Sequence, residues 1–177
     1  MPPRRRLAPV RSVRGARRRL NWVQQSSNQT ASANGTWTTQ DLLSGYRAQA
    51  GNTTAGCTVM RTHVWVLPHA PIAGDIFWIG LSVLDVDDIV AFGTNAQVPN
   101  PSAHPYVDWA FTQRYEFDVN LRLPVMNTDY AGVVLDLKSK RKIHNLEQTW
   151  ALTIMQDTVT TVSKQYDFFS RTLIALP

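Results

Sequence analysis

Arginine is concentrated at the start of the chain, where residues 1–20 hold eight arginines and no acidic residue. The arginines are Arg4, Arg5, Arg6, Arg11, Arg14, Arg17, Arg18 and Arg19. Guanidinium groups make bidentate contacts with phosphate, and a segment of this charge gains affinity for polyanions by displacing counterions. Because such contacts do not reach base edges, they carry no sequence preference. The cluster therefore predicts non-specific binding of a nucleic acid.

Two other roles are known for basic N-terminal segments. A mitochondrial transit peptide would be amphipathic as a helix, and Pro2, Pro3 and Pro9 argue against that. A nuclear localisation signal is compatible with nucleic-acid binding, because short basic runs serve both purposes. With its prolines, its self-repelling charge and its small apolar area, the segment is predicted to be disordered until it meets a partner.

A second basic cluster follows a predicted strand and precedes His144. It consists of Lys138, Lys140, Arg141 and Lys142. Two interpretations stay open: a second contact for phosphate, or a solvated loop, which is what most short charge runs are.

Tryptophan is abundant for a chain of this length. The six residues are Trp22, Trp37, Trp65, Trp78, Trp109 and Trp150. Their rings are suited either to stacking on nucleobases and sugars or to filling the core and subunit contacts. Those at positions 65, 78 and 150 fall inside apolar strands and are predicted to be buried. Trp22 and Trp109 are the better candidates for exposure.

The sequence contains no pattern typical of an enzyme. Cys57 is the only cysteine, which excludes a disulfide within the chain and a multi-cysteine zinc site; beginning an apolar strand, it is predicted to be a small core residue. The histidines, at 63, 69, 104 and 144, lack the spacing of metal ligands. There is no nucleophile elbow, and no pair of carboxylates stands out for hydrolysis. We expect neither catalysis nor a cofactor.

Three carboxylates lie close together at Asp85, Asp87 and Asp88. The calcium-binding EF-hand pattern fails here, because Ile89 stands where the third ligand should be and no glycine follows at the sixth position. A polar turn after a buried strand is the simpler interpretation. Whether the three carboxylates bind a cation is left open by the sequence.

Charge and composition divide the chain into parts. Its 177 residues suit one domain with a tail. Residues 21–177 hold ten Lys and Arg against thirteen Asp and Glu, a net charge of −3 beside the +8 of residues 1–20. We predict an Arg-rich arm over residues 1–20, a polar linker over 21–35 and a folded body over 36–177. No apolar run is long enough to cross a bilayer, so no membrane partner is expected.

The body has the pattern of a β protein. Strands are predicted at 36–43, 58–67, 75–84, 107–113, 115–121, 131–137, 148–156 and 166–176, with the fourth and fifth either separate or joined as one bent strand. Short helices are compatible with 39–47 or 86–92. We predict an eight-stranded antiparallel jelly-roll sandwich. Two strands, 75–84 and 166–176, are apolar on both faces, which predicts that a loop or a neighbouring subunit covers their outer sides.

This layout of basic arm, polar linker and strands up to the C-terminus resembles the single jelly-roll capsid proteins of small icosahedral viruses. It is most similar to circovirus-like viruses with single-stranded DNA genomes and to some small RNA viruses. The segment DLKSKRK at 136–142 looks similar to a stretch before the penultimate strand in part of that group. The resemblance implies a virion shell of many copies, with the eight arm arginines neutralising a single-stranded genome. It leaves host-nuclear import during assembly open.

An alternative is a monomeric β-barrel with a basic tail that binds single strands on its Trp and Tyr faces. That alternative predicts aromatic and basic side chains on one strand face. Because the strand tryptophans sit among aliphatic residues and the body is net acidic, the sequence favours the capsid. A carbohydrate-binding sandwich would leave the arm unexplained.

Overall fold

The computed structural model describes residues 19–31, 37–50, 56–69, 74–86, 107–116, 132–145, 147–156 and 164–176. Over these ranges the chain forms eight strands and one short helix. In chain order they are β1 (Leu20–Ala31), β2 (Trp37–Asp41), α1 (Ser44–Ala50), β3 (Cys57–Pro68), β4 (Ile76–Asp85), β5 (Asp108–Glu116), β6 (Val133–Ile143), β7 (Gln148–Gln156) and β8 (Lys164–Ala175).

The strands form two antiparallel sheets of four strands each. Sheet A has the order β1-β8-β3-β6, and sheet B has the order β2-β7-β4-β5. The pairing is nested: β1 with β8, β2 with β7, β3 with β6 and β4 with β5. This is the arrangement of a long antiparallel ribbon that folds over on itself into two Greek keys. The prediction of an eight-stranded antiparallel jelly roll is confirmed.

The first strand of sheet A lies in sequence that was predicted to be a linker. β1 pairs with β8 along its whole length. Towards sheet B it makes polar contacts, since Gln29 Nε2 donates to Gln40 Oε1 at 2.9 Å and Thr38 Oγ1 donates to Gln29 Oε1 at 3.0 Å. The linker prediction over 21–35 is therefore wrong up to residue 31. Hydrogen bonds between amides and hydroxyls replace the apolar side chains that normally mark a half-buried strand in sequence.

The other predicted strands agree with the structure apart from their limits. β5 runs through the predicted boundary between 113 and 115, so that region forms one strand; residues 117–121 lie outside the described residues. β6 continues to Ile143, six residues beyond the predicted end of that strand at residue 137. The helix α1 overlaps the region 39–47 that was compatible with a short helix.

The core lies between the sheets and centres on Trp150. This side chain is fully buried, among apolar residues of β3, β4 and β8 that include Val64, Ile79 and Phe168. The indole Nε1 of Trp150 donates a hydrogen bond to Thr62 Oγ1 of β3 at 3.0 Å. One buried polar contact therefore joins the two sheets, and it satisfies the only donor of the indole ring.

The outer side of sheet B is also covered by the chain itself. Leu84, Val107, Ala151 and Met155 form a second buried cluster, with Trp78 and Trp109 packed against it. At Gly80 of β4, an ideal Cβ would overlap the Trp109 ring, so glycine allows that ring to lie directly on the strand. The expectation that an apolar outer side of residues 75–84 would be covered is met within the chain.

Candidate nucleic-acid interface

The outer side of sheet A carries three rows of side chains that cross all four strands. The rows are Trp22, Leu173, Arg61 and Lys138; Gln24, Arg171, His63 and Asp136; and Ser26, Phe169, Trp65 and Val134. Because side chains of a strand alternate between its two faces, the residues between them point into the sandwich. Val64 and Thr172, for example, are fully buried. We call this surface the outer face of sheet A.

Aromatic rings form a continuous line across the outer face. The ring centroids of Trp22 and His63 are 5.8 Å apart, those of His63 and Trp65 are 6.1 Å apart, and those of Trp65 and Phe169 are 5.2 Å apart. Trp22 is 42% exposed and Phe169 is 38% exposed. The line therefore presents aromatic surface that a planar ligand can contact.

Arg171 lies against this line of rings. Its Cζ is 4.8 Å from the centroid of the Trp22 ring, within the range of a cation–π contact. Its Nε is buried without a hydrogen-bond partner, and the guanidinium pairs with no carboxylate in the part of the chain that is described. A π face does not neutralise a guanidinium as a carboxylate would, so Arg171 can still bind an anion.

Asp136 is the carboxylate of the central row. Arg61 Nε donates to Asp136 Oδ1 at 2.7 Å, and a second nitrogen of the same guanidinium contacts Oδ2. The hydrogen bond from Arg61 lowers the pKa of Asp136 below its ordinary value, and the charges of His63 and Lys138 lower it further. Asp136 therefore stays ionised at neutral pH and compensates the charge of Arg61.

A shallow basin opens on the outer face where the pairing of β3 and β6 becomes irregular. Their register shifts between Val59 and Arg61, as at a β-bulge. The basin has a volume of about 430 Å³, and its lining consists of Met60, Arg61, Lys138, Ser139, Lys140 and Leu173. Two apolar side chains and three cations thus share one depression, a combination suited to a planar ring that carries an anionic group.

The second basic cluster lies in a strand and not in a loop. Lys138, Lys140 and Lys142 are exposed along β6, which is an edge strand of sheet A. Arg141 lies on the other side of that strand, where its Nη1 is 3.2 Å from Asp108 Oδ1 of β5. The loop interpretation is therefore wrong. The three lysines remain candidates for a phosphate contact, whereas Arg141 is paired within the chain.

The Arg-rich arm joins the sandwich at the start of β1. Seven of its arginines lie outside the described residues: Arg4, Arg5, Arg6, Arg11, Arg14, Arg17 and Arg18. Arg19 is exposed, and its carbonyl accepts a hydrogen bond from the N–H of Leu176 at 2.9 Å. Leu20 lies in register with Ala175, Thr58 and Lys142 across the sheet. The arm therefore joins the sandwich at the same end of sheet A as Lys142.

The other residues considered for chemistry are Cys57, the histidines and the clustered carboxylates. Cys57 is buried, and burial raises the pKa of its thiol to about 11, which keeps it protonated at neutral pH. Among the described residues no group of three or more His, Cys, Asp or Glu side chains is placed to hold a metal ion. Asp87, Asp88 and His104 lie outside those residues. No helix in the described ranges is both long and apolar enough to span a bilayer.

Several members of the outer face were not predicted from the sequence. Trp65 was predicted to be in the core, yet it is only half-buried and stacks on the outer side. Trp22 is exposed as predicted, and Trp150 is buried as predicted. Period-two alternation could have revealed the face, since β3 places Arg61, His63 and Trp65 on one side.

Comparison with known proteins gives similarity in structure and not in sequence. No protein-family model matches the chain, and no curated protein matches it. The chain is similar to the decameric BFDV capsid protein, with 9% identity over 91% of this chain and 99% of that chain and a TM-score of 0.46. It is similar to desmodium yellow mottle tymovirus, with 8% identity over 99% and 96% of the two chains and a TM-score of 0.40.

A third similar structure is the dimeric latent PorU from Porphyromonas gingivalis, with 12% identity and a TM-score of 0.35. The match covers 88% of this chain and 13% of that chain. The assignment of the jelly roll itself follows from the strand order of the two sheets.

Proposed function

We propose that the protein is a viral capsid protein whose copies assemble into an icosahedral shell and whose arm packages a single-stranded genome. The observation that carries this proposal is the union, in one chain, of a jelly-roll sandwich with an N-terminal segment of eight arginines and no acid. A shell needs a rigid sandwich that packs against identical copies in a closed symmetry. Packaging of a genome needs positive charge that neutralises its phosphates.

The distribution of charge supports a division of labour between arm and sandwich. Residues 1–20 have a net charge of +8, whereas residues 21–177 have a net charge of −3. Charged residues make up 18% of the chain, against about 25% in ordinary soluble proteins. A low density of charge favours burial of surface between copies, because charged residues are depleted at the centres of interfaces.

Counting charges relates the size of the shell to the genome. With eight arm arginines per copy, sixty copies bring about 480 positive charges and 180 copies bring about 1,440. A single strand carries about one negative charge per nucleotide. A genome longer than about 480 nucleotides therefore favours the larger shell, unless other cations complete the neutralisation. The resemblance to circovirus-like proteins favours DNA, the virion as location, and entry into the host nucleus through the basic runs of the arm.

Expression of the full chain tests the proposal directly. We expect uniform spheres in negative-stain microscopy, a light-scattering mass of many copies, and a 260 to 280 nm absorbance ratio that shows bound nucleic acid. Digestion with DNase or RNase after disassembly then identifies the genome type. A stable monomer of about 20 kDa that binds single strands with a steep salt dependence would instead support the tailed β-barrel.

Two variants separate the contributions of the arm. Deletion of residues 1–18 leaves β1 complete, so the β-sheet circular dichroism spectrum should stay unchanged while most of the bound nucleic acid is lost. The second variant replaces the seven arginines of residues 1–18 by lysine, which keeps the positive charge of the arm. If charge alone packages the genome, this second variant should retain nucleic acid. Loss of the fold in the deletion variant would contradict the separation of arm and sandwich.

A further inference from the structure

We propose that the outer face of sheet A is a second binding site for single-stranded nucleic acid, distinct from the arm. In this site the line of Trp22, Trp65 and Phe169 stacks on unpaired bases, and Arg171 with the lysines of β6 contacts the phosphates. The proposed genome would be its natural ligand, so the biological role depends on the capsid proposal. The binding itself does not.

Stacking is the first part of the argument. The described aromatic residues on this face lie 5.2 to 6.1 Å from ring to ring and remain open to solvent at both ends of the line, at Trp22 and Phe169. Aromatic side chains on a sheet surface bind bases of any sequence through their π faces. Bases within a duplex are already stacked on one another, so this contact selects single strands.

Charge is the second part of the argument. Arg171, Lys140 and Lys142 have no carboxylate within ion-pairing distance among the described residues, whereas Asp136 is already occupied by Arg61. The basin beside the bulge adds Lys138 to this group. The outer face therefore combines unneutralised cations with exposed rings, which is the composition of sites that follow the backbone of a single strand.

The same charges disfavour a second copy of this face as the occupant. Two such faces in contact would bring Arg171 and the lysines of one copy close to those of the other. Burial of like charges without partners costs more than the apolar contact gains. A polyanion satisfies these cations, and its bases cover the apolar area of the rings.

The position of the arm links the two sites. The arm joins edge strand β1 of sheet A at Arg19. Lys142 of β6 lies at the same end of that sheet. A nucleic-acid strand that is bound by the arm is thereby kept at a high local concentration next to the outer face. The arm attracts any polyanion, and the face then favours one with unpaired bases.

Variants of Phe169 test the proposal in the full chain. A labelled single strand and a duplex of the same length and sequence are titrated separately, with fluorescence anisotropy as the readout. Phe169→Leu keeps apolar volume but loses the ring, whereas Phe169→Tyr keeps the ring and serves as the matched control. We expect Phe169→Leu to weaken single-strand binding about fivefold or more, the lower end of the range for one stacked base. Phe169→Tyr and duplex binding should stay within about twofold of wild type.

Arg171→Gln tests the phosphate contact independently. The slope of log affinity against log salt for the single strand should become shallower by about 0.7, the value for one phosphate contact. Photocrosslinking of the full chain to the single strand, followed by mass spectrometry, should yield modified peptides from β1, β3 or β8 in addition to the arm.

The outcomes separate this inference from the capsid proposal. Crosslinks confined to the arm, together with wild-type affinity of Phe169→Leu, would overturn the second site even if particles form. Loss of assembly in Phe169→Leu with unchanged single-strand affinity would make the face a contact between copies and would also overturn it. If the wild-type chain forms no particles but Phe169→Leu loses single-strand affinity selectively, the capsid proposal fails and the second site stands.

Discussion

Replacement of Thr62 by valine tests whether one buried hydrogen bond joins the two sheets. Thr62 and Trp150 are both fully buried, and the indole donates to the hydroxyl at 3.0 Å. Valine has nearly the same shape as threonine, so the substitution opens almost no cavity. It leaves the indole N–H without an acceptor and out of reach of water, which costs about 1–3 kcal/mol. A loss of about 2 kcal/mol lowers the melting temperature of a domain of this size by about 4–8 °C.

Urea unfolding of the unassembled chain, followed by circular dichroism at one protein concentration, measures this cost without the contribution of assembly. Thr62→Ser is the control, because it retains the hydroxyl and loses only a methyl group. In a Trp150→Phe background the cost of Thr62→Val should shrink, since no N–H remains to be satisfied. Equal stability of Thr62→Val and the wild type, or an unchanged cost in the Trp150→Phe background, would refute the reasoning.

Two further substitutions test the cover of sheet B and the charge of sheet A. Gly80→Ala should displace the Trp109 ring and lower the free energy of unfolding by about 1–3 kcal/mol, measured by urea unfolding, whereas Ser82→Ala on the same side of β4 should change it less. Asp136→Asn should tighten single-strand binding and steepen its salt slope by about 0.7, because it releases Arg61. The pKa of Asp136 is lower in the folded chain than in the unfolded chain, so its contact with Arg61 is fully present above about pH 4. The contact is lost as the pH falls through the pKa of Asp136 in the folded chain. Below that pH, single-strand binding by the wild type should approach that of Asp136→Asn.

Most of the fold is predictable from the sequence because its strands have a clear pattern. β4 and β7 alternate or run apolar between turn residues, and their limits agree closely with the predicted ones. β1 is the exception, because Gln29 and its neighbours fill the space between the sheets with hydrogen bonds. A polar strand of this kind cannot be told from a linker in the sequence until the strand that it pairs with is known. The extension of β6 through Lys140 was not predicted for the same reason, because its polar and basic residues in an edge strand look like a loop in the sequence.

The candidate site is less predictable, because it depends on which strands are neighbours. Arg61, His63 and Trp65 share one side of β3 by alternation alone. Trp22 and Phe169 join them only because β8 lies between β1 and β3, and no local pattern specifies that order. The expectation that aromatic and basic residues do not share a strand face is therefore wrong. Along the chain the strand tryptophans lie among aliphatic residues, whereas across the sheet Trp22 shares a row with Arg61 and Lys138.

In the proposed capsid, the arm and the outer face would supply different kinds of selectivity for the packaged nucleic acid. Binding through eight arginines depends on phosphate charge alone and weakens steeply with salt, for duplex and single strand alike. Stacking on Trp22 and Phe169 would instead depend on unpaired bases and not on phosphate charge. A shell that relied on the arm alone would take up any polyanion of the host cell. A base-stacking face beside the arm, as proposed, would favour retention of a single strand at salt concentrations where binding by the arm alone has weakened.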